Sequence, residues 1–342
     1  MTYARVPVAL LLLLLVLALP AAAPAWDRGQ VSTFAVLPPG AAHPEGITID
    51  GKGNVYVTTF AVGGTPSGVG QMFVFDPRGR LLRTVNVEGS STLLLDLAFH
   101  PRTNDLLVID FGHQQVLAVN PVNGKSKVFT TIPGGAAAGP NVLTFDAAGN
   151  VYVSDSFQGA IWRTGERGGV STAWAQSPLL TTTGVPPFGA NGLAFNKAGD
   201  TLFVCNTGND SVVQVPVTDG AAGTPAVFVN SVNGCDGLIL DEQDNLWLAA
   251  NQSDEIVVVN PSGRVIAKLG DFGGVDAGGA PIGLLFPASL VRSGGFIYVT
   301  NLALDLRLFG LAQPVDAQWA AQVTTHTVSR IPAVIPAVPG LP

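Results

Sequence analysis

Four polar residues along the chain have the types and positions expected of metal ligands. Each of Glu45, Asn141, Asn191 and Asp236 opens a short apolar segment, at a position where strands seldom carry Glu, Asn or Asp. Carboxylate and amide oxygens are the ligands that Ca²⁺ and Mg²⁺ prefer, so the four would form a cation site if the fold brought them together. The alternative is structural, because Asn and Asp also stabilise turns, and Gly follows three of the four as it does in tight turns.

The segments that begin with these residues are copies of one unit. Examples are EGITIDGKGNVYVT from Glu45 and NVLTFDAAGNVYVS from Asn141, and two weaker copies begin at Leu95 and Pro287. Each copy joins two apolar strands through a turn, which contains both Asp and Gly in the first, third and fourth copies, and two further strands follow it. The six copies start about 45 to 51 residues apart, which is the spacing of β-propeller blades. We therefore predict an all-β, six-bladed β-propeller with four-stranded antiparallel blades.

Strands from the two ends of the chain should close this ring. The segment 31–36 is typical of a fourth strand but precedes the first copy, whereas the segment 326–330 is typical of a third strand and follows the last copy. We expect the N-terminal strand to complete the last blade, which also protects a sheet edge from mispairing. The propeller would span residues 26–331, and the Pro-rich tail at 332–342 should be extended or disordered.

In a propeller, the first residues of the innermost strands meet at one mouth of the central channel. Across the six copies these residues are Glu45, Leu95, Asn141, Asn191, Asp236 and Pro287. The returning strands end at the same mouth, and we expect their polar last residues to be structural, satisfying backbone groups between blades. These residues are Thr59, Asp110, Asp155, Asn206, Asn251 and Asn301.

Two cysteines and one histidine should also lie near this mouth. Cys205 ends one returning strand and Cys235 precedes the next inner strand, so the sequence leaves open a disulfide or two buried free thiols. His43 lies two residues before Glu45, where it could act as a base or bind an anion in a substrate. The alternative for His43 is an ordinary solvated loop residue.

The first 25 residues have the features of a secretory signal. Arg5 supplies a positive charge, Val8–Leu19 are apolar, and Ala23–Ala25 offers small residues for cleavage before Trp26. Because the apolar run is shorter than the ~20 residues of a spanning helix, we favour removal over a retained anchor. We therefore expect a secreted or periplasmic protein.

The composition limits the partners. The net charge is −7, and no run of Lys or Arg is present, which argues against nucleic acid. Surplus carboxylate is compatible with cation binding, although it is also an ordinary source of solubility. After signal removal we expect no membrane contact, a monomer, and a small-molecule substrate.

The chain resembles the gluconolactonase/regucalcin family of calcium- or zinc-dependent six-bladed propellers. The resemblance is carried by Glu45-Gly46, Pro140-Asn141, the ANGLAF segment at 190–195 and Cys235-Asp236-Gly237, and it extends to Asn301. It implies one divalent cation, which we expect to be Ca²⁺, with Zn²⁺ and Mg²⁺ as alternatives.

The same resemblance implies roles for the four polar residues. Glu45, Asn191 and Asp236 would bind the metal, Asn141 would contact substrate or a metal-bound water, and Asp236 would act as the acid and base. The expected function is a secreted, metal-dependent hydrolase of a lactone or ester. The alternatives are a non-enzymatic, NHL-like propeller that binds a ligand or protein, and a lyase or isomerase similar to strictosidine synthase.

Three departures from the family put a sugar lactone in doubt. Val142 stands where the sugar-lactone hydrolases usually have Asp, and Gly139 stands where they often have Arg. The segment VPPFG at 185–189 also predicts a more apolar mouth.

Overall fold

The protein folds as a six-bladed β-propeller. The structure is a computed structural model, and it describes residues 27–312 and 314–337. The predicted signal segment with its cleavage site, and residues 338–342 of the tail, lie outside the described residues. Within the described ranges, no helix is both long and apolar enough to cross a bilayer.

Each blade is an antiparallel sheet whose strands run outward from the channel in chain order, except that the outermost strand of the last blade comes from the start of the described chain. The strands of the chain up to the third blade are β1 (Ser32–Val36), β2 (Pro44–Ile49), β3 (Val55–Thr59), β4 (Gln71–Phe75), β5 (Leu81–Asn86), β6 (Leu94–Phe99), β7 (Leu106–Asp110), β8 (Gln115–Val119), β9 (Ser126–Thr131), β10 (Pro140–Phe145), β11 (Val151–Asp155), β12 (Ala160–Gly165) and β13 (Gly168–Gln176).

The remaining strands form the fourth to sixth blades and one small hairpin. They are β14 (Ala190–Phe195), β15 (Thr201–Asn206), β16 (Ser211–Thr218), β17 (Ala221–Ala222), β18 (Ala226–Asn230), β19 (Cys235–Leu240), β20 (Leu246–Ala250), β21 (Glu255–Val259), β22 (Val265–Leu269), β23 (Phe272–Val275), β24 (Pro281–Gly283), β25 (Pro287–Ser293), β26 (Phe296–Asn301) and β27 (Thr327–Pro332). The six innermost strands β2, β6, β10, β14, β19 and β25 contact one another in a closed cycle around the channel.

The N-terminal strand closes the ring as predicted. The last blade has the order β25, β26, β27, β1, so its outermost strand comes from the start of the described chain. In this pairing Ala35 lies opposite Val328. Phe34 and Ala35 are buried against Phe73 and Phe75 of the first blade, so closure also joins the last blade to the first.

In the first, third and fifth copies an Asp caps the turn of the inner hairpin. Asp50 accepts hydrogen bonds from the backbone amide of Asn54 at 2.8 Å and from the hydroxyl of Tyr56 at 3.1 Å. Asp146 and Asp241 form the same kind of turn with the Asn four residues later. A side chain that satisfies the turn amides explains why the Asp recurs.

Segments without copies cover one mouth of the channel. Between β26 and β27 the chain forms a cap, defined here as residues 302–326 except for the undescribed residue 313, with a 3-10 helix (Leu306–Phe309) and a one-turn helix α1 (Ala317–Ala320). Two more 3-10 helices, Gly135–Ala137 and Pro178–Leu180, precede β10 and β14. The second begins a loop, residues 177–189, that contributes Pro186 and Phe188 to the mouth.

Candidate metal centre at the channel mouth

Each innermost strand has a β-bulge at its mouth end. In β2 the register with β3 shifts between Pro44 and Ile47, and the other five inner strands shift at the equivalent place. A bulge places an extra residue in one strand and redirects its side chains. The four candidate ligands all occupy the same position in this bulge, so the repeat brings them to one height on the channel axis.

The sixth copy needs a correction of one residue. Pro287 pairs with Asn301 as Pro44 pairs with Thr59, so Ala288, and not Pro287, is equivalent to Glu45. The weak similarity of this copy allowed the one-residue error, because Pro287 and Ala288 are both small and apolar. The polar set is unchanged, since neither residue is a ligand.

The glycines after the ligands are not turn residues. Gly192 and Gly237 lie inside strands, where a Cβ atom on Gly192 would be 2.2 Å from the backbone oxygen of Asp236. A Cβ on Gly237 would be 2.6 Å from the backbone oxygen of Ala288. Glycine is therefore required because neighbouring blades approach closely, and the turn interpretation of these Asn-Gly and Asp-Gly pairs is wrong.

Glu45, Asn141, Asn191 and Asp236 line one cavity at the mouth, and each is at most 5% exposed. One oxygen of every member has no hydrogen-bond donor among the described residues. These atoms are Glu45 Oε2, Asn141 Oδ1, Asn191 Oδ1 and Asp236 Oδ1. Buried polar atoms in folded proteins nearly always have a partner, so four such oxygens in one cavity indicate a ligand site.

Hydroxyl groups orient the two amides. Asn141 Nδ2 donates to Ser156 Oγ at 3.0 Å, and Asn191 Nδ2 donates to Thr207 Oγ1 at 3.0 Å. Each hydroxyl in turn donates to a backbone carbonyl of the next blade, at 2.7 and 2.8 Å respectively. With the amide nitrogens engaged in this way, the amide oxygens are left for the cavity.

Asp236 is held by a third amide. Asn251 Nδ2 donates to Asp236 Oδ2 at 2.9 Å, which leaves Oδ1 free. Burial raises the pKa of Asp236 to about 7, against the opposing effect of the hydrogen bond from Asn251. Burial also raises the pKa of Glu45 well above its usual range, and the negative charges of Asp236 and Asp96 add to this shift.

The residues present fit a hard divalent cation. Two carboxylates share the cavity, and none of the described residues that line it is Lys, Arg or His. Among the described residues no group of three or more His, Cys, Asp and Glu could hold a metal ion, so a site here needs the amide oxygens of Asn141 and Asn191 beside the two carboxylates. Such a set suits Ca²⁺ or Mg²⁺ better than Zn²⁺, which prefers nitrogen and sulfur. The centres of water molecules can occupy about 40 Å³ of the cavity, which is enough for an ion and a few water molecules.

The rest of the mouth is apolar. Phe60, Leu95 and Phe286 come from the blades, and Leu302, Leu304 and Leu306 come from the cap. The polar oxygens and this hydrophobic wall therefore line the same depression. Its volume is about 430 Å³, which includes the part that is open to solvent.

The structure does not bring His43 to this cavity. Its Nδ1 lies 3.1 Å from the backbone oxygen of Leu302, and its ring packs against His326. Burial lowers the pKa of His43, and it lowers the pKa of His326 to about 3, so both imidazoles are neutral at neutral pH. This contact ties the cap to the first blade, and it offers no support for anion binding by His43.

The second polar ring is structural, as expected. Asp155 accepts the amide of Gly139 at 3.0 Å, and Asn206 Nδ2 donates to the backbone oxygens of Leu179 and Thr181. Asn251 is the exception, because β20 ends at Ala250 and Asn251 lies one residue further on. Asn251 is thus equivalent to Ser156 and Thr207, the residues that contact the ligands in the two preceding blades.

A disulfide joins Cys205 and Cys235, with their Cα atoms 5.3 Å apart. It settles the choice that the sequence left open. The bond connects β15 of the fourth blade to β19 of the fifth, directly before Asp236. It therefore ties β19, which carries Asp236, to β15, the hairpin partner of the strand β14 that carries Asn191.

The fold and this cavity define the class: a six-bladed β-propeller with a polar centre at one channel mouth. Residues 140–270 match the family model described as "SMP-30/Gluconolactonase/LRE-like region", and this match confirms the resemblance found in the sequence. The matched segment contains Asn141, Asn191 and Asp236, while Glu45 lies before it. No curated protein sequence matches the chain.

Solved structures share the fold at low sequence identity. A luciferin-regenerating enzyme is 15% identical, with 91% of this chain and 96% of that chain covered and a TM-score of 0.65. A regucalcin from Agrobacterium tumefaciens, described as a calcium-binding protein, is 13% identical over 90% of this chain and 98% of that chain, with a TM-score of 0.60. A virginiamycin B lyase from Staphylococcus aureus is 13% identical over 80% and 82%, with a TM-score of 0.55.

Proposed function

We propose that the protein is a secreted hydrolase of a lactone or ester that uses one divalent cation at the channel mouth. The observation that carries the proposal is the convergence of four buried oxygens, none with a hydrogen-bond donor, from Glu45, Asn141, Asn191 and Asp236. The match to the gluconolactonase-like family model supports the reaction class.

Glu45, Asn191 and Asp236 would hold the cation through their free oxygens, and Asn141 Oδ1 would orient the attacking water or the substrate. A bound divalent cation would polarise the substrate carbonyl and offset the charge that develops on its oxygen. We expect Ca²⁺, because the donors are all oxygen and a similar structure belongs to a calcium-binding protein. Mg²⁺ and Zn²⁺ are the alternatives.

Asp236 would move the proton. Its carboxylate would take a proton from water as the water oxygen bonds to the carbonyl carbon. When the carbonyl re-forms, the bond from its carbon to the ring or ester oxygen breaks, and Asp236 returns the proton to that oxygen. A lactone then gives a hydroxy acid, and an ester gives an acid and an alcohol.

Secretion is the second part of the proposal. It is supported by the signal-like residues 1–25 and by the disulfide between Cys205 and Cys235, because disulfides persist in oxidising compartments. Mass spectrometry of the protein recovered from periplasm or medium should find Trp26 as the first residue. A full-length chain confined to the cytoplasm would contradict secretion.

Chelation followed by addition of single cations tests the centre. We expect the melting temperature to rise with Ca²⁺, since a ligand at 100 times its Kd stabilises by about 2.7 kcal/mol. Asp236→Asn should abolish both this rise and the hydrolysis of a lactone and aryl ester panel. Asp254→Asn is the matched control, because Asp254 is also buried with its pKa raised to about 7 but does not line the cavity. Full hydrolysis by Asp236→Asn would refute the assigned role.

The substitution Asp236→Asn should stabilise the cation-free protein at high pH. The folded-state pKa of Asp236 is about 7 against an ordinary value of 3.8, so the folded state retains a proton that the unfolded state loses. Stability therefore falls as pH rises from about 4 to 7, by at most about 4 kcal/mol for this group. Urea unfolding in chelator should show Asp236→Asn more stable than wild type at pH 8 and nearly equal at pH 4. Equal stability at pH 8 would contradict the raised pKa.

The same experiments separate the alternatives. A propeller that only binds a ligand or protein would show no cation-dependent shift and no hydrolysis. A lyase, as in one of the similar structures, would break its substrate without adding water. Hydrolysis in ¹⁸O-labelled water should place one labelled oxygen in the acid product, and its absence would favour the lyase.

A further inference from the structure

We propose that the mouth binds an apolar acyl, alkyl or aryl group, so that the preferred substrates are hydrophobic lactones or esters and not polyhydroxylated ones. The preference among substrates rests on the proposed hydrolase function. The binding of an apolar group to the mouth can be measured whether or not the protein is a hydrolase. The inference comes from the residues that face the four ligand oxygens.

The wall opposite the ligands offers no hydrogen bonds from side chains. It consists of Phe60 and Phe286 from the blades, the three leucines of the cap, and Phe188 from the loop at 177–189. Leu302, Leu304 and Leu306 are alternate residues of one segment, and each is at most 6% exposed. The cap thus presents a continuous aliphatic surface to the cavity.

Aromatic rings continue this wall to the solvent. Phe111 is in edge contact with both Phe60 and Phe157, at centroid distances of 5.6 and 5.7 Å, and Phe188 lies 5.6 Å from Phe157. Phe309 of the cap stacks on Phe60 at 6.4 Å. Phe157 is 45% exposed and Phe309 is 43% exposed. An apolar chain could therefore lie on aromatic surface all the way from the ligand oxygens to bulk water.

The other polar groups of the lining are, with one exception, already engaged. Thr207 bonds Asn191 and a backbone carbonyl, and Asn251 Nδ2 bonds Asp236, so that Asn251 Oδ1 is the one atom of these two side chains without a partner among the described residues. A sugar ring held here would bury hydroxyl groups without partners, and each such group costs on the order of a tenfold loss of affinity or more. The site therefore discriminates against hydroxylated substrates.

One backbone position shows how this surface is built. Gly139 lies beside the ring of Phe157, and a Cβ atom at residue 139 would be 2.7 Å from Phe157 Cδ2. Any larger residue there would displace the exposed ring. Gly139 thus leaves room for the Phe157 ring at the edge of the mouth.

Non-hydrolysable lactams measure the apolar site without turnover. We would titrate the protein with γ-lactams bearing methyl, propyl and pentyl chains, and with a polyhydroxylated lactam, by calorimetry in Ca²⁺ and again in chelator. Affinity should rise about threefold to fourfold for each CH₂ that is buried. The pentyl lactam should bind at least tenfold more tightly than the polyhydroxylated one. Affinity independent of chain length, or tightest binding of the polyhydroxylated lactam, would overturn the proposal.

Two variants locate the site. Phe188→Ser should remove most of the gain per CH₂, and Phe309→Ser offers a second test at an exposed residue that the fold tolerates. Val170→Ser is the matched control, because Val170 is 85% exposed on β13 and does not line the mouth. Unchanged chain-length dependence in both Phe variants would place the apolar site elsewhere and refute the assignment.

The outcomes distinguish the two proposals. A cation-dependent thermal shift with no chain-length dependence would leave the metal centre standing and refute the apolar site. Chain-length dependence in chelator, with neither a cation shift nor hydrolysis, would confirm the apolar site and refute the hydrolase.

Discussion

The candidate ligands differ from their equivalents in the other blades only in their side chains. Leu95 and Ala288 occupy the same bulge position in the second and sixth blades as Glu45 does in the first. Since every copy provides the same backbone, comparison of the copies reveals a polar residue at a buried apolar position. The four candidate ligands could therefore be singled out from the sequence alone.

The residues that orient the ligands could not be found in this way. Ser156 and Thr207 are common residue types just after a strand, and their contacts with Asn141 and Asn191 join positions 15 and 16 residues apart. The position of His43 outside the cavity could not be read from the sequence for a related reason. Its closeness to Glu45 in sequence says nothing about the positive φ of 54° at His43, which accompanies a side chain turned towards the cap.

Thr207→Val should weaken cation binding without unfolding the protein. Loss of the hydroxyl frees Asn191 Nδ2, so the amide can rotate and its oxygen no longer points reliably into the cavity. Partners of metal ligands typically contribute about 10- to 100-fold to metal affinity. We expect a loss of this size in Ca²⁺ titrations, with Thr207→Ser restoring the affinity. Equal weakening by Ser and Val would contradict a role for the hydroxyl.

At the scale of elements, the repeat predicted the inner hairpins well and the insertions not at all. The Asp that caps the hairpin turn recurs in several copies, so the turns were evident in the sequence. The cap and the hairpin β23–β24 have no counterpart in other copies, and no periodicity marks them. The apolar wall was therefore anticipated only through the segment at 185–189, although the cap supplies three of its leucines.

The disulfide between β15 and β19 should stabilise the ring where the ligands lie. It closes a segment of 30 residues, for which chain entropy gives about 3 to 4 kcal/mol. The double variant Cys205→Ala/Cys235→Ala should lose about that much stability in urea unfolding. Wild type with reductant is the control, and it should approach the variant. Unfolding curves that coincide with and without the disulfide would contradict this estimate.

On the scale of the whole molecule, ring closure was predictable because one end of the chain has an extra strand and the other end has a blade that lacks one. A strand without a hairpin precedes the first copy, and a blade one strand short follows the last. The number of copies then fixes the number of blades. The reaction was not predictable to the same degree, since a propeller supplies the same mouth to many chemistries.

Charge in the closing strand should open the ring. Ala35→Asp would bury a carboxylate at the contact of β1 with the first blade, because Ala35 is 3% exposed. We expect a loss of several kcal/mol and faster proteolysis near the N-terminus. Val36→Asp is the matched control, since Val36 is 51% exposed on the same strand, and it should change stability by about 0.5 kcal/mol or less. Similar small effects of both variants would show that closure adds little.

The glycines beside the ligands make the diameter of the mouth a property of the ring as a whole. A methyl group at Gly192 would meet the backbone of Asp236, and one at Gly237 would meet the backbone of Ala288. An open sheet could relieve such a contact by moving its last strand. A closed ring has no last strand, so a displacement at one seam must be taken up by the other five. The size of the ion that fits would then change together with every ligand distance.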